Sequence, residues 1–168
     1  MKKVILKRKI AQRIFNGHPW IFGNEVEAVN IDTTKIADLT TIAPGEIVDV
    51  YYHDNKFCGR GFINPKSQIL VRLLTRKKEE INEQFFYNRI AQCWKYRQQI
   101  GYTENCRLVF GEAYEMPALI IDKFNDYFVI QTLAYGMEVW KPAIVKALQQ
   151  IFLPKGIYER NDVPVREL

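Results

Sequence analysis

The sequence contains few of the side chains from which nucleophilic and metal sites are built. Its 168 residues include two histidines, His18 and His53, and three cysteines, Cys58, Cys93 and Cys106. The cysteines form no C-x-x-C pair, so neither a disulfide framework nor a structural zinc site is indicated, and we expect all three to be buried. Cys58 lies near His53 across a predicted turn, but a sulfur within a strand is more often packed than activated. We therefore predict no catalytic or metal-binding residue.

Long hydrophobic runs are also missing. No apolar stretch approaches the roughly 20 residues that a membrane-spanning helix needs. The opening residues, MKKVILKRKIAQR, contain an apolar run too short for a signal peptide and no small-residue cleavage site. The chain is 48% hydrophobic and 13% aromatic, which is typical of a globular protein. We expect a cytoplasmic protein with no membrane partner.

Nucleotide-cofactor motifs are absent as well. Gly59-Arg60-Gly61 begins a G-x-G-x-x-G pattern, but the third glycine would fall at Asn64, and Pro65 follows where a helix should begin. No P-loop, H-E-x-x-H or G-x-S-x-G motif occurs. Because the two glycines lie in a predicted strand, they indicate a bulge or the close approach of another backbone. We predict no cofactor site in this chain.

Acidic residues are missing from two segments that are rich in lysine and arginine. Residues 1–24 carry six Lys/Arg and residues 56–78 carry seven, with no acid in either segment. Residues 1–78 have a net charge of +7, whereas residues 79–168 have a net charge of −2. Clustered cations favour a polyanion partner for the first half, because they neutralise phosphates and release counterions. A solvated basic face without a partner is the alternative that charge alone leaves open.

The pattern of predicted elements changes near residues 75–79. Before this point, EIVDVYY, FCGRGFI and QILVRLLT are short strands separated by turn signals, as in a small sandwich or barrel. After it, a helix is predicted from Glu79 to Ile100, ended by Gly101, followed by three strands, a second helix and a last strand, GIYER. We therefore predict two domains, a β-rich one and an α+β one. The polar ending NDVPVREL indicates either a frayed tail or a cut within a longer protein.

The aromatic residues of the first domain lie among its cations. The segment RKIAQRIFNGHPWIF interleaves Arg and Lys, which bind phosphates, with aromatic rings, which stack on unpaired bases. The alternative places Phe15, Trp20 and Phe22 in the core, and we expect at least one of the three to lie there.

Six segments, taken in order, resemble a known family. GHPWIFGNEV, PGEIVDVY, FCGRGFINPKSQILVRLLT, CRLVFGEAYEMPALIID, YFVIQTLAYGM and IYERNDVPVREL are similar to the N-terminal region of bacterial class I SAM-dependent methyltransferases that modify cytosine C5 in large-subunit ribosomal RNA. The resemblance covers nearly the whole chain. It implies an α+β fold, with a PUA-like β pseudo-barrel over residues 1–75 and a small α+β linker domain over residues 76–168.

The same resemblance places the chemistry elsewhere in the family. It implies that S-adenosyl-L-methionine and the catalytic cysteines belong to a Rossmann-like domain that would follow Leu168. The chain departs from the family at Tyr114-Glu115 and Pro117-Ala118, where relatives have an acid-Gly pair and a Pro-Gly, so we assign no substrate-facing role to this loop. Whether the complete protein is a homodimer stays open.

We predict an RNA-binding fragment that positions ribosomal RNA for a catalytic domain outside this chain. Phe22 and Asn64 are expected to shape the binding motif from inside. Two alternatives remain: a stand-alone RNA-binding or ribosome-associated module, and a protein-interaction domain whose basic face binds an acidic partner. The predicted RNA contacts are Lys7, Arg8, Arg13, His18, Trp20, Lys66 and Arg72.

Overall fold

The structure is a computed structural model that describes residues 1–162, so the second half of the segment IYERNDVPVREL lies outside the described residues. The chain divides into two compact units, Met1–Glu79 and the residues from Glu80 onward. Within the described range, no helix is long and apolar enough to cross a membrane.

The first unit is built on a curled seven-stranded sheet. Its strands are β1 (Lys3–Leu6), β2 (Trp20–Ile21), β3 (Val26–Ile31), β4 (Thr34–Lys35), β5 (Ile47–Tyr51), β6 (Phe57–Ile63) and β7 (Val71–Thr75). Their order in space is β2-β7-β6-β5-β1-β3-β4, and all neighbours are antiparallel except β1 and β5. This sheet confirms the predicted β pseudo-barrel.

The core of this unit is formed by aliphatic side chains from the strands and one short helix. Leu6 and Val50 are fully buried, and helix α1 (Gln12–Phe15) adds the fully buried Ile14. Gly17 follows with φ +95°, a left-handed conformation that ends the helix. Ile14 thus forms the buried side of the helix, and Phe15, the last residue of the helix, faces outward.

The predicted irregularity at the G-x-G sequence is confirmed. The register between β6 and β7 shifts between Arg60 and Gly61, which is a β-bulge. Asn64, as predicted, lies inside the turn that follows: it is 4% exposed, and its Oδ1 accepts a hydrogen bond from the backbone N–H of Lys66 at 3.1 Å.

The second unit has two helices and a four-stranded sheet. Its elements are α2 (Glu83–Gln99), β8 (Asn105–Phe110), β9 (Leu119–Phe124), β10 (Tyr127–Thr132), α3 (Tyr135–Phe152) and β11 (Gly156–Glu159). The strand order is β11-β10-β9-β8, with β10 and β11 parallel and the other neighbours antiparallel. Helix α2 starts later than predicted because the Asn82 side chain caps it, accepting a hydrogen bond from the Phe85 N–H at 3.0 Å.

The loop between β8 and β9 contains two residues whose backbone conformations favour glycine. Glu115 and Ala118, two of the positions where the chain departs from the family that it resembles, have φ values of 53° and 64°. Both conformations are left-handed, and L residues adopt them at a cost. Glycine would adopt both conformations without this cost.

Candidate nucleic-acid interface

Two depressions lie on the first unit, and Lys7 lines one of them and contacts a lining residue of the other. The smaller has a volume of about 190 Å³ and is lined by Lys7, Arg8, Ile10, Phe15, Tyr52, His53, Asp54 and Lys56. The larger has a volume of about 650 Å³ and is lined by Arg13, Phe22, Gly23, Asn24, Glu25, Ser67 and Gln68. The Lys7 ammonium donates a hydrogen bond to the backbone oxygen of Asn24 at 2.7 Å, so this lysine links the two depressions.

The smaller depression brings the two acid-free segments together. Lys7 and Arg8 come from the first segment and Lys56 from the second, and all three side chains belong to exposed residues. Asp54 is the one acid among the lining residues, and its carboxylate pairs with Lys56 at 3.0 Å. The hydrogen bond from Lys56 lowers the pKa of Asp54, so this carboxylate is ionised at neutral pH. Three cations against one anion leave the depression positively charged.

Two aromatic rings stack inside this depression. The rings of Phe15 and Tyr52 lie 5.2 Å apart between centroids, with an interplanar angle of 3°. Phe15 is 56% exposed, whereas Tyr52 is half-buried. The rings of an aromatic pair in a protein core are buried, because apolar surface left in water costs free energy. This pair presents a flat apolar surface beside three cations.

Arg76 holds both sides of the stacked pair. One guanidinium nitrogen donates hydrogen bonds to the backbone oxygen and the Sγ of Cys58, each at 3.1 Å. The other donates to the backbone oxygens of Ile14 at 3.1 Å and His18 at 3.0 Å. Ile14 immediately precedes Phe15, so a single side chain ties α1 to β6.

Tyr52 is fixed by the same cluster. Burial, followed by a hydrogen bond with Cys58, raises the pKa of Tyr52 to about 12, so its hydroxyl is neutral at physiological pH. Burial also raises the pKa of the Cys58 thiol. Cys58 is therefore a packed, protonated thiol, as its position in a strand predicted. An activated nucleophilic cysteine has a lowered pKa, whereas the pKa of Cys58 is raised.

Arg13, in the larger depression, has internal partners. Its guanidinium donates hydrogen bonds to Glu25 Oε2 at 2.6 Å and to the backbone oxygen of Trp20 at 2.5 Å. It also lies 4.8 Å from the centroid of the Phe22 ring. Glu25 in turn accepts the backbone N–H of Phe22 at 2.9 Å. This arrangement fixes the turn between β2 and β3, and it agrees with the expected supporting position of Phe22.

The remaining predicted contacts are spread over the first unit. His18 and Trp20 are half-buried and touch each other edge to face, with ring centroids 5.1 Å apart. Lys66 is exposed in the turn between β6 and β7. Arg72 is only 6% exposed, within β7. The structure thus brings Lys7 and Arg8 together, keeps His18 with Trp20, and places Arg72 inside the fold.

The expectation that one of the aromatic residues Phe15, Trp20 and Phe22 lies in the core is wrong. Trp20 and Phe22 are half-buried, and Phe15 is exposed. For Phe15 the physical reason is that α1 has only four residues and Ile14 fills its buried side. Sequence reasoning also missed Tyr52, Lys56 and Arg76. Lys56 and Arg76 belong to the basic segment that the sequence shows at residues 56–78. Only the fold shows that Arg76 points inward while Lys56 stays exposed.

The first unit offers no cradle for a nucleotide cofactor at its G-x-G sequence. Gly59 and Gly61 lie within β6, and a Cβ atom at either position would meet the backbone or side chains of β7. The space beside the two glycines is therefore filled by β7, and no helix of the described residues begins next to them. Among residues 1–162, no group of three or more His, Cys, Asp or Glu side chains could hold a metal ion.

Comparison with known proteins gives one domain family and a consistent set of relatives. Residues 4–76 match the family described as PUA-like domain. Ribosomal RNA large subunit methyltransferase I of Vibrio campbellii is 38% identical in an alignment of 154 positions that covers 89% of this chain and 36% of that protein. The protein of the same name from Cronobacter sakazakii is 31% identical in an alignment of 169 positions that covers 98% of this chain and 40% of that protein. The chain thus spans about two fifths of the length of these relatives.

Two solved structures share the fold. A proposed SAM-dependent methyltransferase from Streptococcus mutans superposes with a TM-score of 0.76 at 16% identity, covering 96% of this chain and 41% of that chain. A proposed methyltransferase in complex with SAH gives a TM-score of 0.76 at 15% identity, covering 96% and 40%. At this identity the likeness concerns the fold alone. The curled sheet and the family match agree on one conclusion: residues 4–76 of this chain have a PUA-like fold.

Proposed function

We propose that this chain is the RNA-binding part of a ribosomal RNA methyltransferase and that its PUA-like domain holds the substrate RNA. The finer proposal is that the complete protein methylates cytosine C5 in large-subunit ribosomal RNA, in the cytoplasm. The observation that carries the proposal is the convergence of Lys7, Arg8 and Lys56 on one depression of the PUA-like unit. Curated relatives named ribosomal RNA large subunit methyltransferases support the choice of ribosomal RNA as the polyanion.

The cationic depression suits a nucleic acid because its charge is concentrated and accessible. Exposed Lys and Arg side chains neutralise phosphates and release condensed counterions, which supplies most of the sequence-independent affinity. His18, Trp20 and Lys66 would add contacts along the same unit. Arg13 and Arg72 are given a supporting role in this proposal, since Arg13 is bound to Glu25 and Arg72 is buried.

The methyl donor is assigned to a part of the complete protein outside this chain. S-adenosyl-L-methionine would supply the methyl group, but the G-x-G residues described above do not fit that ligand, because the space next to them is filled by β7. We therefore derive no catalytic step from this chain. Its own contribution would be to bind the RNA and fix its position relative to a catalytic domain.

Salt-dependent RNA binding tests the proposal. The logarithm of the affinity for a fluorescein-labelled fragment of large-subunit ribosomal RNA, measured by anisotropy, should fall linearly with log[salt]. The double variant Lys7→Glu/Arg8→Glu should weaken binding and reduce the slope by about two, because each phosphate contact contributes about one. The control Lys35→Glu/Lys95→Glu changes the net charge equally at two exposed lysines that line neither depression, and it should keep the wild-type slope. Equal behaviour of the two double variants would refute this interface.

A further inference from the structure

We propose that the stacked pair Phe15 and Tyr52 is a platform for one unpaired base of single-stranded RNA, with the flanking phosphates bound by Lys7, Arg8 and Lys56. This inference rests on the proposed RNA-binding function and names the form of RNA that the site would take. It adds two aromatic contacts to those that the sequence predicted.

The geometry of the pair favours a third flat ring. The rings of Phe15 and Tyr52 are nearly parallel, with an interplanar angle of 3°, and their centroids lie 5.2 Å apart. Since Phe15 is more than half exposed, a face of its ring is open to solvent. A base that continues the stack would cover this apolar surface, and such stacking tolerates any base because every base has a π-face.

The platform is already rigid without RNA. Arg76 binds the backbone oxygen of Ile14 on one side and both the oxygen and the sulfur of Cys58 on the other. Tyr52 packs against the core cluster that contains Cys58, so the segments that carry the two rings are both held by contacts of one guanidinium. A surface held in its binding geometry loses little conformational entropy when the ligand binds.

The surrounding charges select a polyanion over an apolar peptide. Lys7, Arg8 and Lys56 line the same depression as the two rings. Cations beside a flat aromatic face are the combination that holds single-stranded nucleic acids, because the phosphates alternate with bases along the strand. A base-paired duplex keeps its bases stacked on each other, so it would use the cations without the ring.

Phe15→Leu separates these contributions, because leucine keeps an apolar side chain but has no flat ring. Affinity for an unstructured single-stranded RNA should fall about tenfold or more, whereas affinity for a blunt duplex of the same length should stay unchanged. Phe15→Trp should retain the single-strand affinity. The matched control is Phe124→Leu, a phenylalanine of similar exposure (53% against 56%) in the second unit, which should change neither affinity.

A base analogue gives a direct readout. 2-Aminopurine placed in the single-stranded RNA should lose fluorescence on binding to the wild-type chain, and Phe15→Leu should abolish this loss. Thermal unfolding followed by circular dichroism checks that each variant is folded. If Phe15→Leu lowered stability, Phe15→Trp would serve as the second variant, because it keeps a flat ring, and a fall of its single-strand affinity would overturn the inference.

The outcomes distinguish this inference from the proposed function. If Phe15→Leu leaves single-strand binding intact while Lys7→Glu/Arg8→Glu weakens both RNA forms, the stacking platform is refuted and the RNA-binding function stands. If neither variant changes binding to any RNA, the interface itself is refuted. If an acidic peptide binds the wild type more tightly than RNA does and Phe15→Leu abolishes it, the occupant is a protein and the inference is overturned.

Discussion

The backbones of Gly61 and Arg72 approach so closely that a Cβ atom at position 61 would lie 2.0 Å from the Arg72 carbonyl oxygen. The two residues belong to β6 and β7, the neighbouring strands whose register shifts at this point. Only glycine fits this contact, because any side chain would push the strands apart. A β-bulge bends its strand and increases the local twist, and this close contact lies at the bulge.

Gly61→Ala should destabilise the first unit by about 1–3 kcal/mol or more, the usual cost of forcing an extra methyl group into a packed site. Chemical denaturation of the wild type and the variant measures this loss. Gly23→Ala is the control, since a Cβ at position 23 would meet no atom within 4 Å, and it should leave the free energy of unfolding nearly unchanged. Equal stability of the two variants would contradict the close contact.

Leu153→Gly should stabilise the second unit. Leu153 ends helix α3 in a left-handed conformation with φ 49°, and its side chain is 86% exposed, so it contributes little packing. Glycine adopts this conformation without the cost of about 1 kcal/mol or more that an L side chain carries. We expect a gain of about 1 kcal/mol in urea denaturation. Leu153→Ala keeps the Cβ atom and should gain nothing, and a gain of the same size would show that backbone strain is not the cause.

The strands and long helices could be predicted because their signals are local. The turn before Ile47 and the glycine after α2 fix element boundaries directly in the sequence. The conformation of Leu153 could not be predicted in this way, because leucine gives no sign of a left-handed residue. The pairing of β1 with both β3 and β5 is equally invisible, since it depends on contacts distant along the chain.

The thiol of Cys93 should react only at high pH. Burial raises the pKa of Cys93 to about 11, whereas Cys106 is half-buried with a pKa that burial also raises. At pH 8 roughly one Cys93 in a thousand is a thiolate, because the pH lies about three units below the pKa. Iodoacetamide should therefore label Cys106 before Cys93, and mass spectrometry of timed samples measures the order. Faster labelling of Cys93 would show that it is not buried in this way.

The same pKa shift gives the stability a pH dependence of known sign. The unfolded chain loses the Cys93 proton near its ordinary pKa, whereas the folded chain keeps it until about pH 11. The unfolded state therefore binds fewer protons in this window, so the free energy of unfolding contributed by Cys93 is complete below about pH 9 and falls as the pH rises toward 11. In Cys93→Ala this part of the fall should disappear, and an unchanged alkaline slope would contradict it.

The candidate site was only partly predictable for a reason that Phe15 illustrates. The spacing of Ile10 with Ile14 and of Ala11 with Phe15 offers two possible buried faces, and composition does not choose between them. In the structure Ile14 is fully buried and Phe15 is exposed. Its partner Tyr52 lies 37 positions away in the sequence, so the stacked pair exists only after β5 and α1 have met. Charge clustering is visible in a sequence, whereas the geometry of two distant rings is not.

Arg76→Lys should loosen α1 and weaken single-strand binding together. The arginine reaches Cys58 with one nitrogen and Ile14 and His18 with the other, and a single ammonium group cannot replace both contacts. We expect a loss of about 1.5–3 kcal/mol in the free energy of unfolding, the range for hydrogen bonds to charged groups. Hydrogen exchange should accelerate over residues 12–18, and affinity for single-stranded RNA should fall more than affinity for duplex RNA, because the Phe15 ring is no longer fixed.

Lys77→Ala, at the exposed neighbouring position, should change none of these quantities. Unchanged exchange in Arg76→Lys would show that the guanidinium does not hold the platform, whatever its effect on global stability.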